Sequence, residues 1–403
     1  MEQPLTGVRV VDFGQFIAAP AAGAALADMG ADVIKVEPVG GESARQIGVY
    51  GQAMVRTYNT RKRSLAVDLR APDGRAVAQR LVRGADIVLQ NLRTGVMETF
   101  GLGPADVRAV NPGVVYGSVS GFGRHGPSRD RPGFDIAAQA ESGLMSVTGE
   151  AGRDPQRVGV PVVDAAAGHV LAEAVLGAYI GRLRFGIGRD VEVSLLDVAI
   201  HLQATTWGEY FLTGQVPERK GNGQPTVAPA ADVVHTADGA IVLSAYTPTH
   251  FAKLCALVGR PDLADDPRFG TNPDRVAHRA ALLAELASAF RDLTSEKALD
   301  MLVGNGIVAG AINSYAQVVT HPDVRASGTF VDVVGNGGDN NGGDGTPYTV
   351  VRAPWRNGVD DAPSPTPAPR VGRHTREIMT ELGYPASEIG DLVRRGILRA
   401  GEE

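Results

Sequence analysis

Asp164 is the residue whose chemical type and neighbours are best suited to catalysis. It ends the β-rich run 158–164 and is followed by four small residues, 165–168, and then by a long apolar helical pattern. The arrangement predicts a strand that carries a carboxylate into the first turn of a helix, where unpaired N–H groups and the positive end of the dipole favour the ionised form. Small neighbours let a second group approach closely. Two roles stay open for Asp164, a helix N-cap or a nucleophile.

The sequence lacks the motifs that bind common cofactors. The first predicted β–α turn, residues 13–20, has no Gly-x-Gly-x-x-Gly fingerprint for a dinucleotide. There is also no Walker P-loop, no His-Glu-x-x-His motif and no Gly-x-Ser-x-Gly elbow, and the eight histidines show no metal-ligand spacing. We therefore expect no metal and no permanently bound cofactor, so side chains such as Asp164 must carry any chemistry.

Charge and cysteine content restrict the partners and the compartment. A net charge of −6 gives no general attraction to nucleic acid or acidic membranes, so an anionic ligand must meet a local basic patch. The single cysteine, Cys255, excludes an internal disulfide and lies in an apolar helical pattern that indicates buried packing. No signal-peptide pattern opens the chain, and no run reaches the roughly 18 apolar residues of a membrane span. We expect a cytoplasmic protein that binds neither nucleic acid nor a membrane.

Strands and helices alternate in the first part of the chain, which is typical of a mostly parallel sheet with helices on both faces. The pattern predicts strands at 8–13, 32–37, 85–90, 113–120 and 190–196, with helices at 20–30 and 73–84 and a helical stretch that ends near 214. Further along, it predicts hairpin strands at 231–236 and 240–246, helices near 248–258, 275–291 and 295–305, a mobile surface hairpin at 333–346, a Pro-rich connector at 361–369 and a last helix at 374–382.

These elements divide the chain into two predicted domains. The large α/β domain comprises 1–214 together with 347–403, and the small α+β domain comprises 226–330. Linkers at 215–225 and 331–346 join them. A chain of 403 residues is also longer than a single hydrophobic core usually supports.

Six segments, taken in order, resemble the class III CoA-transferases, a family typified by formyl-CoA:oxalate CoA-transferase and related to the α-methylacyl-CoA racemases. The segments are 7–13, 26–38, 62–69, 85–93, 118–123 and 369–375, so the resemblance covers essentially the whole chain. It implies a Rossmann-like large domain and a homodimer of two interlocked chains. It also implies an acyl-CoA and a carboxylic acid as partners, with CoA as a substrate and not a resident cofactor.

The resemblance also implies roles for individual residues. Asp164 matches the family's catalytic aspartate, which attacks the acyl-CoA thioester to give an acyl-aspartyl anhydride and then an aspartyl-CoA thioester. The segment Gly221, Asn222 and Gly223 resembles a glycine-rich loop that covers this intermediate, although an ordinary linker turn is the alternative. The implied CoA contacts are Gln15, Ile17, Ala18, Leu69, Arg70, Asn91, Leu92, Arg93, Phe134 and Asp135.

Local positive charge must meet the phosphates of CoA, because the protein as a whole is acidic. The basic run 61–63, Arg70 and Arg93 are the candidates, although such a run is often only a solvated face. Pro38 stands where the formyl-CoA enzyme has a basic contact, and Arg45 is the predicted substitute. Ile17 stands where that enzyme has a glutamine beside the acyl group, which argues against formyl-CoA and oxalate as substrates.

Three functions remain open from the sequence: a transferase, a racemase and a CoA-binding protein without catalysis. The racemases use a histidine in a Gly-His-Asp motif to move the α-proton, and here Phe134 occupies that position. A phenyl ring cannot carry a proton. His125 and His169 lie off the motif, and we expect both to be structural. The sequence therefore favours a transferase over a racemase, with the intact Asp164 context arguing against a pure binding protein.

Overall fold

The computed structural model describes residues 3–224, 228–333, 347–355 and 365–401. Its described residues fall into two compact units. The first unit comprises 1–144, 158–207 and 323–403, and the second comprises 145–157 and 208–322. Compared with the predicted domains, this division places 145–157 and 208–224 in the smaller unit and 323–330 in the larger one. Residues 334–346 of the hairpin predicted at 333–346 lie outside the described residues, as do residues 361–364 of the Pro-rich connector.

Twelve strands form over the described ranges. They are β1 Arg9–Asp12, β2 Asp32–Glu37, β3 Arg63–Val67, β4 Ile87–Gln90, β5 Val115–Ser120, β6 Asp190–Ser194, β7 Ala231–His235, β8 Ala240–Ser244, β9 Val308–Ala311, β10 Phe330–Val333, β11 Tyr348–Val351 and β12 Leu398–Arg399.

The helices of the first half of the chain are α1 Ala18–Asp28, α2 Gly48–Tyr58, α3 Pro72–Arg83, α4 Val96–Thr99, α5 Pro104–Val110, α6 Asp135–Glu141, α7 Leu144–Val147, α8 Val162–Phe185, α9 Leu195–His201 and α10 Ala204–Thr213. A short 3-10 helix, Ser43–Gln46, precedes α2. The remaining helices are α11 Pro248–Leu257, α12 Asp262–Asp265, α13 Asn272–Ala277, α14 Arg279–Phe290, α15 Ser295–Val303, α16 Tyr315–Thr320, α17 Pro322–Ser327, α18 Thr375–Glu381 and α19 Ala386–Arg394.

The main sheet of the first unit has the order β12-β3-β2-β1-β4-β5-β6. Its six strands from β3 to β6 pair in parallel, and β12 is antiparallel at the edge. The parallel part thus has the order 3-2-1-4-5-6 of the doubly wound Rossmann fold. The mixed α/β class with a Rossmann-like large domain, predicted from the sequence, is confirmed.

Two hydrophobic cores cover the two faces of this sheet. Alternate residues of β1 point to opposite faces, so Val10 belongs to one core and Val11 to the other. The first core is completed by α1, α8 and α9, and the second by α3, α5, α18 and α19. The central strand β4 is buried over its whole length, as expected for a strand covered on both sides.

Helix α8 packs against α1 on the first of these faces. Gly168 makes the close approach possible, because a Cβ atom there would lie 2.6 Å from Cβ of Ala21 and 2.9 Å from the carbonyl oxygen of Ala18. By length and composition alone, the 24-residue helix is apolar enough to cross a membrane. Seven of its residues nevertheless lie in the protein core.

The second unit contains the three-stranded antiparallel sheet β7-β8-β9 with helices packed on it. Its core includes Phe251, Phe269 and Phe290, all fully or nearly fully buried. Cys255 is also buried there, as its apolar pattern predicted. The helix predicted at 275–291 is two helices, because the capping box of Thr271 and Asp274 begins α13 and His278 separates α13 from α14.

Candidate active site

A cavity of about 330 Å³ lies in the first unit at the carboxyl ends of three parallel strands. Its walls come from the loops that follow β1 and β4, from the end of β5, and from the segment before α6. The strand order reverses between β1 and β4, which is the position where doubly wound sheets bind their ligands. The lining residues are Gln15, Phe16, Ile17, Ala18, Asn91, Leu92, Arg93, Thr94, Val96, Val119, Ser120, Gly121, Arg129, Arg131, Pro132, Gly133, Phe134, Asp164 and Leu195.

Asp164 reaches this cavity from the first turn of α8. The helix begins at Val162, and residues 158–161 form no strand, so the predicted β-strand before Asp164 is wrong. Pro161 occupies the N-cap position and makes no capping side-chain bond. The N-cap interpretation of Asp164 is therefore also wrong. No donor among the described residues forms a hydrogen bond with the Asp164 carboxylate.

Asp135 caps α8 in its place. One carboxylate oxygen, Oδ2, accepts the backbone N–H groups of Val163 at 2.8 Å and Asp164 at 3.2 Å. The other, Oδ1, accepts Nε2 of Gln139 at 2.5 Å. Gln139 in turn accepts the N–H of Val158 through Oε1 at 2.9 Å. This buried chain of hydrogen bonds fixes the start of α8 relative to α6, so the resemblance-based role of Asp135 as a CoA contact has no support from its position.

The environment of Asp164 raises the pKa of its carboxyl group to about 7. Burial is the larger cause, and the nearby negative charge of Asp135 is the second. The expectation that the helix start favours the ionised form is thus wrong in direction. The charge of Asp164 also raises the pKa of Tyr58, after burial and the neighbouring Tyr50 as larger causes.

Phe16 and Phe134 form an aromatic wall of the cavity. Their ring centroids are 6.0 Å apart in an edge-to-face arrangement. Phe16 has a φ angle of +63°, a left-handed conformation that is rare for a bulky side chain. The ring of Phe134 is 59% exposed, which leaves it free to contact a ligand.

Three arginines line the cavity. Arg93 is exposed, and it forms no ion pair with any residue in the described ranges. The other two lining arginines are engaged on the protein itself, Arg129 with Asp130 and Arg131 with Glu141. The Arg93 guanidinium is therefore placed to meet a negatively charged ligand.

The structure brings eight of the predicted site residues together around the cavity: Gln15, Ile17, Ala18, Asn91, Leu92, Arg93, Phe134 and Asp164. Others lie elsewhere. Arg45 donates to both carboxylate oxygens of the buried Glu37, at 2.7 and 3.0 Å. Leu69 packs against the second core, and Arg70 pairs with Asp68 on the surface.

The basic run 61–63 is also engaged within the protein. Arg61 pairs with Asp28, Lys62 with the buried Asp12, and Arg63 with Asp32 and two further carboxylates. Such pairing gives each of the three side chains a structural partner, and a role of the run in CoA binding stays a prediction.

The segment 221–223 belongs to the second unit. Gly221 has a φ angle of +66° and donates its N–H to the carbonyl of Gly149 at 3.0 Å. Gly223 lies against the ion pair of Arg279 and Asp232, with no space for a Cβ atom. These contacts account for both glycines by local geometry, and the covering role of the loop stays a prediction.

Three features of the site escaped sequence reasoning: the cap by Asp135, the proximity of Tyr58 and the aromatic contact of Phe16. Each joins residues that are far apart in the chain, so no local pattern records it. Within the described ranges, no group of three or more His, Cys, Asp or Glu side chains is arranged to hold a metal ion.

Comparison with known proteins gives a consistent result. The model of CoA-transferase family III matches residues 5–375. The chain is 38% identical over 393 residues to a probable fatty acyl-CoA transferase of Mycobacterium tuberculosis, covering 92% of this chain and 96% of that one. It is 36% identical over 390 residues to the succinate–glutarate CoA-transferase of Agrobacterium fabrum, covering 94% and 96%. A crystal structure of a CAIB/BAIF family protein from Brucella suis superposes with a TM-score of 0.83 at 34% identity, covering 95% of this chain and all of that one.

Proposed function

We propose, because the chain belongs to CoA-transferase family III, that it moves CoA from an acyl-CoA thioester to a carboxylic acid with Asp164 as the nucleophile. One observation carries the assignment to Asp164. Its carboxylate faces the cavity at the switch point of the sheet, is partly buried, and accepts no hydrogen bond from any described residue. A carboxylate free of partners is available to attack a substrate.

The proposed reaction exchanges one thioester for another through two covalent enzyme species. An Asp164 oxygen attacks the carbonyl carbon of the thioester, and the C–S bond breaks. The products are an acyl-aspartyl anhydride on the enzyme and free CoA thiolate. The thiolate then attacks the aspartyl carbonyl, which releases the donor acid and leaves an aspartyl-CoA thioester. The acceptor carboxylate repeats these steps in reverse, so atoms and charge balance and Asp164 is regenerated.

Two features of the cavity support this chemistry. The N-cap residue Ile17 and the first residue of α1, Ala18, both line the cavity, and the N–H groups at a helix start lack an intrahelical acceptor. We infer that these two N–H groups stabilise a developing oxyanion. Arg93 supplies the unpaired positive charge that the phosphates of CoA require.

The cavity gives less support to a racemase. Among the described residues no histidine lines it, and Phe134 stands where the resemblance places the base of a racemase. His125 is 94% exposed beside Glu192, and His169 is exposed on α8. A CoA-binding protein without catalysis would have no need of a desolvated, unpaired carboxylate, whose burial costs free energy.

The relatives guide the choice of substrates. Those named as succinate–glutarate and succinyl-CoA:D-citramalate CoA-transferases use dicarboxylic acids, whereas the mycobacterial relative is named for fatty acyl groups. We propose succinyl-CoA with glutarate as the first pair to assay, followed by longer acyl-CoA donors. The protein is further proposed to act in the cytoplasm as a homodimer.

Trapping of the covalent intermediate tests the proposal. Incubation with acyl-CoA alone, followed by acid quench and peptide mass spectrometry, is expected to find CoA attached to Asp164. Asp164→Asn should lose both the adduct and the exchange of CoA, while Asp197→Asn, in the first turn of α9, should keep both. Exchange that persists in Asp164→Asn would refute the assignment. Solvent deuterium entering the acyl α-carbon without an acceptor would instead establish a racemase.

A further inference from the structure

Side chains hold a run of successive backbone polar groups in the loop that joins β1 to α1. Asp12 accepts the N–H of Gly14 at 2.7 Å, and Lys35 donates to the carbonyl of Gly14. Asn91 accepts the N–H of Gln15 and donates to its carbonyl, both at 2.8 Å. Glu42 accepts the N–H of Phe16 at 2.9 Å. Five consecutive backbone groups are therefore fixed by side chains from other elements or from the end of β1.

Three of these contacts come from a buried cluster of charges, through Asp12, Lys35 and Glu42. Asp12, Lys35 and Lys62 are inaccessible to solvent, and Glu42 is 1% exposed. Lys62 donates to Asp12 at 2.7 Å, and Lys35 lies 3.3 Å from Glu42. Asn59 connects the two pairs, since it donates to Glu42 and accepts from Lys62. The cluster carries two positive and two negative charges, so each charge is compensated without solvent.

Stability alone does not explain such a cluster. Ion pairs buried in a protein interior give up hydration, and well-packed apolar residues of similar volume are often as stabilising or more so. Burial lowers the pKa of Lys35, but the carboxylates of Glu42, Asp12 and Glu37 outweigh it and keep the ammonium charged. The charged side chains form directed hydrogen bonds to the backbone of Gly14 and Phe16 in the loop.

The loop needs such bonds because its conformation is strained. Phe16 has a φ of +63°, a left-handed conformation in which the Cβ atom of an L-residue crowds the following carbonyl oxygen. A conformation of this kind persists only where the surroundings determine it strongly, and such positions cluster at functional sites. The four residues 15–18 that the strained turn presents all line the cavity with Asp164.

We propose that Glu42 and Lys35 are positioning residues for the transfer reaction, which act by holding the loop 14–17 so that Phe16 and the N–H groups of Ile17 and Ala18 face the reacting carbonyl. Neither side chain lines the cavity, so both act through the loop and not on the substrate. This inference rests on the proposed CoA transfer at Asp164.

Variants of Glu42 separate positioning from general stability. Glu42→Gln keeps a side-chain oxygen that can accept the N–H of Phe16, whereas Glu42→Ala removes the acceptor. Glu42→Asp keeps the negative charge near Lys35, but its shorter side chain moves the carboxylate away from the N–H of Phe16. We expect kcat to fall roughly tenfold or more in Glu42→Ala and Glu42→Asp, with a smaller loss in Glu42→Gln and little change in KM. If Glu42→Ala does not fold, the comparison of Glu42→Asp with the wild type still tests the proposal.

Hydrogen exchange supplies a readout that does not depend on activity. The peptide covering 13–18 should exchange faster in Glu42→Ala and Glu42→Asp than in the wild type, with Glu42→Gln close to the wild type. The matched control is Tyr116→Phe, which removes a buried hydrogen bond to the carbonyl of Leu102 at 2.9 Å without touching the loop. It should lower stability and leave both kcat and exchange of this peptide unchanged.

Two results would overturn the inference: faster exchange of the loop with an unchanged kcat, or a lower kcat with unchanged exchange. Failure of the proposed function would give a different result, which is seen in the wild-type protein. If the wild-type protein transfers CoA from no donor and forms no Asp164 adduct, the transferase assignment fails, and the exchange data alone then report whether Glu42 holds the loop.

Discussion

At the scale of single residues, two carboxylates at the start of α8 have separate tasks. Asp135 is bound by two backbone N–H groups and by Gln139, while Asp164 is left without a partner in the described structure. Burial first, and then the nearby negative charge of Asp135, raise the pKa of Asp164. The site thus combines one hydrogen-bonded carboxylate with one partner-free carboxyl group whose charge depends on pH.

The raised pKa of Asp164 predicts an acid limb in the pH profile. The nucleophile must be ionised, so kcat/KM should fall by about tenfold for each pH unit below a midpoint near 7. Asp135→Asn removes the like charge while leaving an oxygen that can accept the N–H groups of α8. The pKa of Asp164 then falls, and the midpoint should move to lower pH. A profile measured from pH 5 to 9 checks this, and an unmoved midpoint in Asp135→Asn would contradict the proposed coupling.

The same pKa predicts that Asp164 weakens the fold at alkaline pH. Its value in the folded protein is about 7, against 3.8 for an unperturbed group. Between these values the folded state holds a proton that the unfolded state has lost, so stability decreases as pH rises and the cost is complete above pH 7. Asp164→Asn should therefore raise the melting temperature at pH 8 by roughly 1–2 °C and have little effect at pH 4. Equal effects at both pH values would show that the carboxylate is well solvated.

The sequence was sufficient to place Asp164 in the first turn of a helix but not to describe its state. Its small neighbours and its place before an apolar helix are local features, and they identify it correctly as a residue at a helix start. The cap by Asp135 comes from 29 positions away. Burial and the charge of Asp135 decide the pKa, and both depend on packing that no local pattern encodes.

At the scale of elements, the close contact of α1 with α8 holds together two helix starts that line the cavity. Gly168 leaves no room for a side chain, since a Cβ atom would meet Ala21 and the carbonyl of Ala18. We expect Gly168→Ala to destabilise the protein by about 1–3 kcal/mol and to lower kcat, because α1 must move away from Asp164.

Gly177→Ala on the same helix is the matched control. Nothing lies within 4 Å of its Cβ position, so the substitution should stabilise the helix by about 0.5–1 kcal/mol. Urea denaturation of both variants, with transfer assays alongside, makes the comparison. If Gly168→Ala is as stable as Gly177→Ala, the two helices do not depend on this contact.

Elements with strong periodic patterns were the ones that sequence reasoning predicted well. The strand predicted at 32–37 has the observed bounds, and the predicted helix 73–84 is shifted by a single residue from α3. The failures have physical causes. Residues 158–161 carry β-forming valines but contain Gly159 and Pro161, and they lead directly into α8. The helix predicted to be last, 374–382, is followed by α19 and by the edge strand β12.

At the scale of the whole molecule, the fold explains where the cavity lies. A parallel sheet directs the carboxyl ends of its strands to one edge, and the reversal of order between β1 and β4 leaves a crevice there. The loops after these two strands are joined by Asn91, which binds the backbone of Gln15 on both sides. The sequence pattern predicted that strands and helices alternate. It did not predict the order of the strands in the sheet, because that order depends on tertiary packing.

The surface of α8 that the first unit leaves exposed predicts self-association. Ile180, Leu183 and Phe185 are 54%, 67% and 64% exposed, and Ile187 beyond the helix is 60% exposed. Adjacent large apolar side chains of this kind mark an interface, and the proposed homodimer supplies a partner for them. Sedimentation velocity should therefore give a species of about twice the 42.1 kDa chain mass.

Substitution within this surface tests whether it is the interface. Leu183→Glu places a charge among the apolar side chains, so we expect it to yield monomers or to prevent assembly, because a charge buried without a partner is costly. Glu173→Gln, at an exposed polar position of the same helix, should leave the assembly intact. Interlocked chains cannot separate without unfolding, so dilution of the wild type should produce no monomer on a timescale shorter than unfolding. A wild type that dissociates rapidly on dilution would instead indicate two chains that meet only at their surfaces.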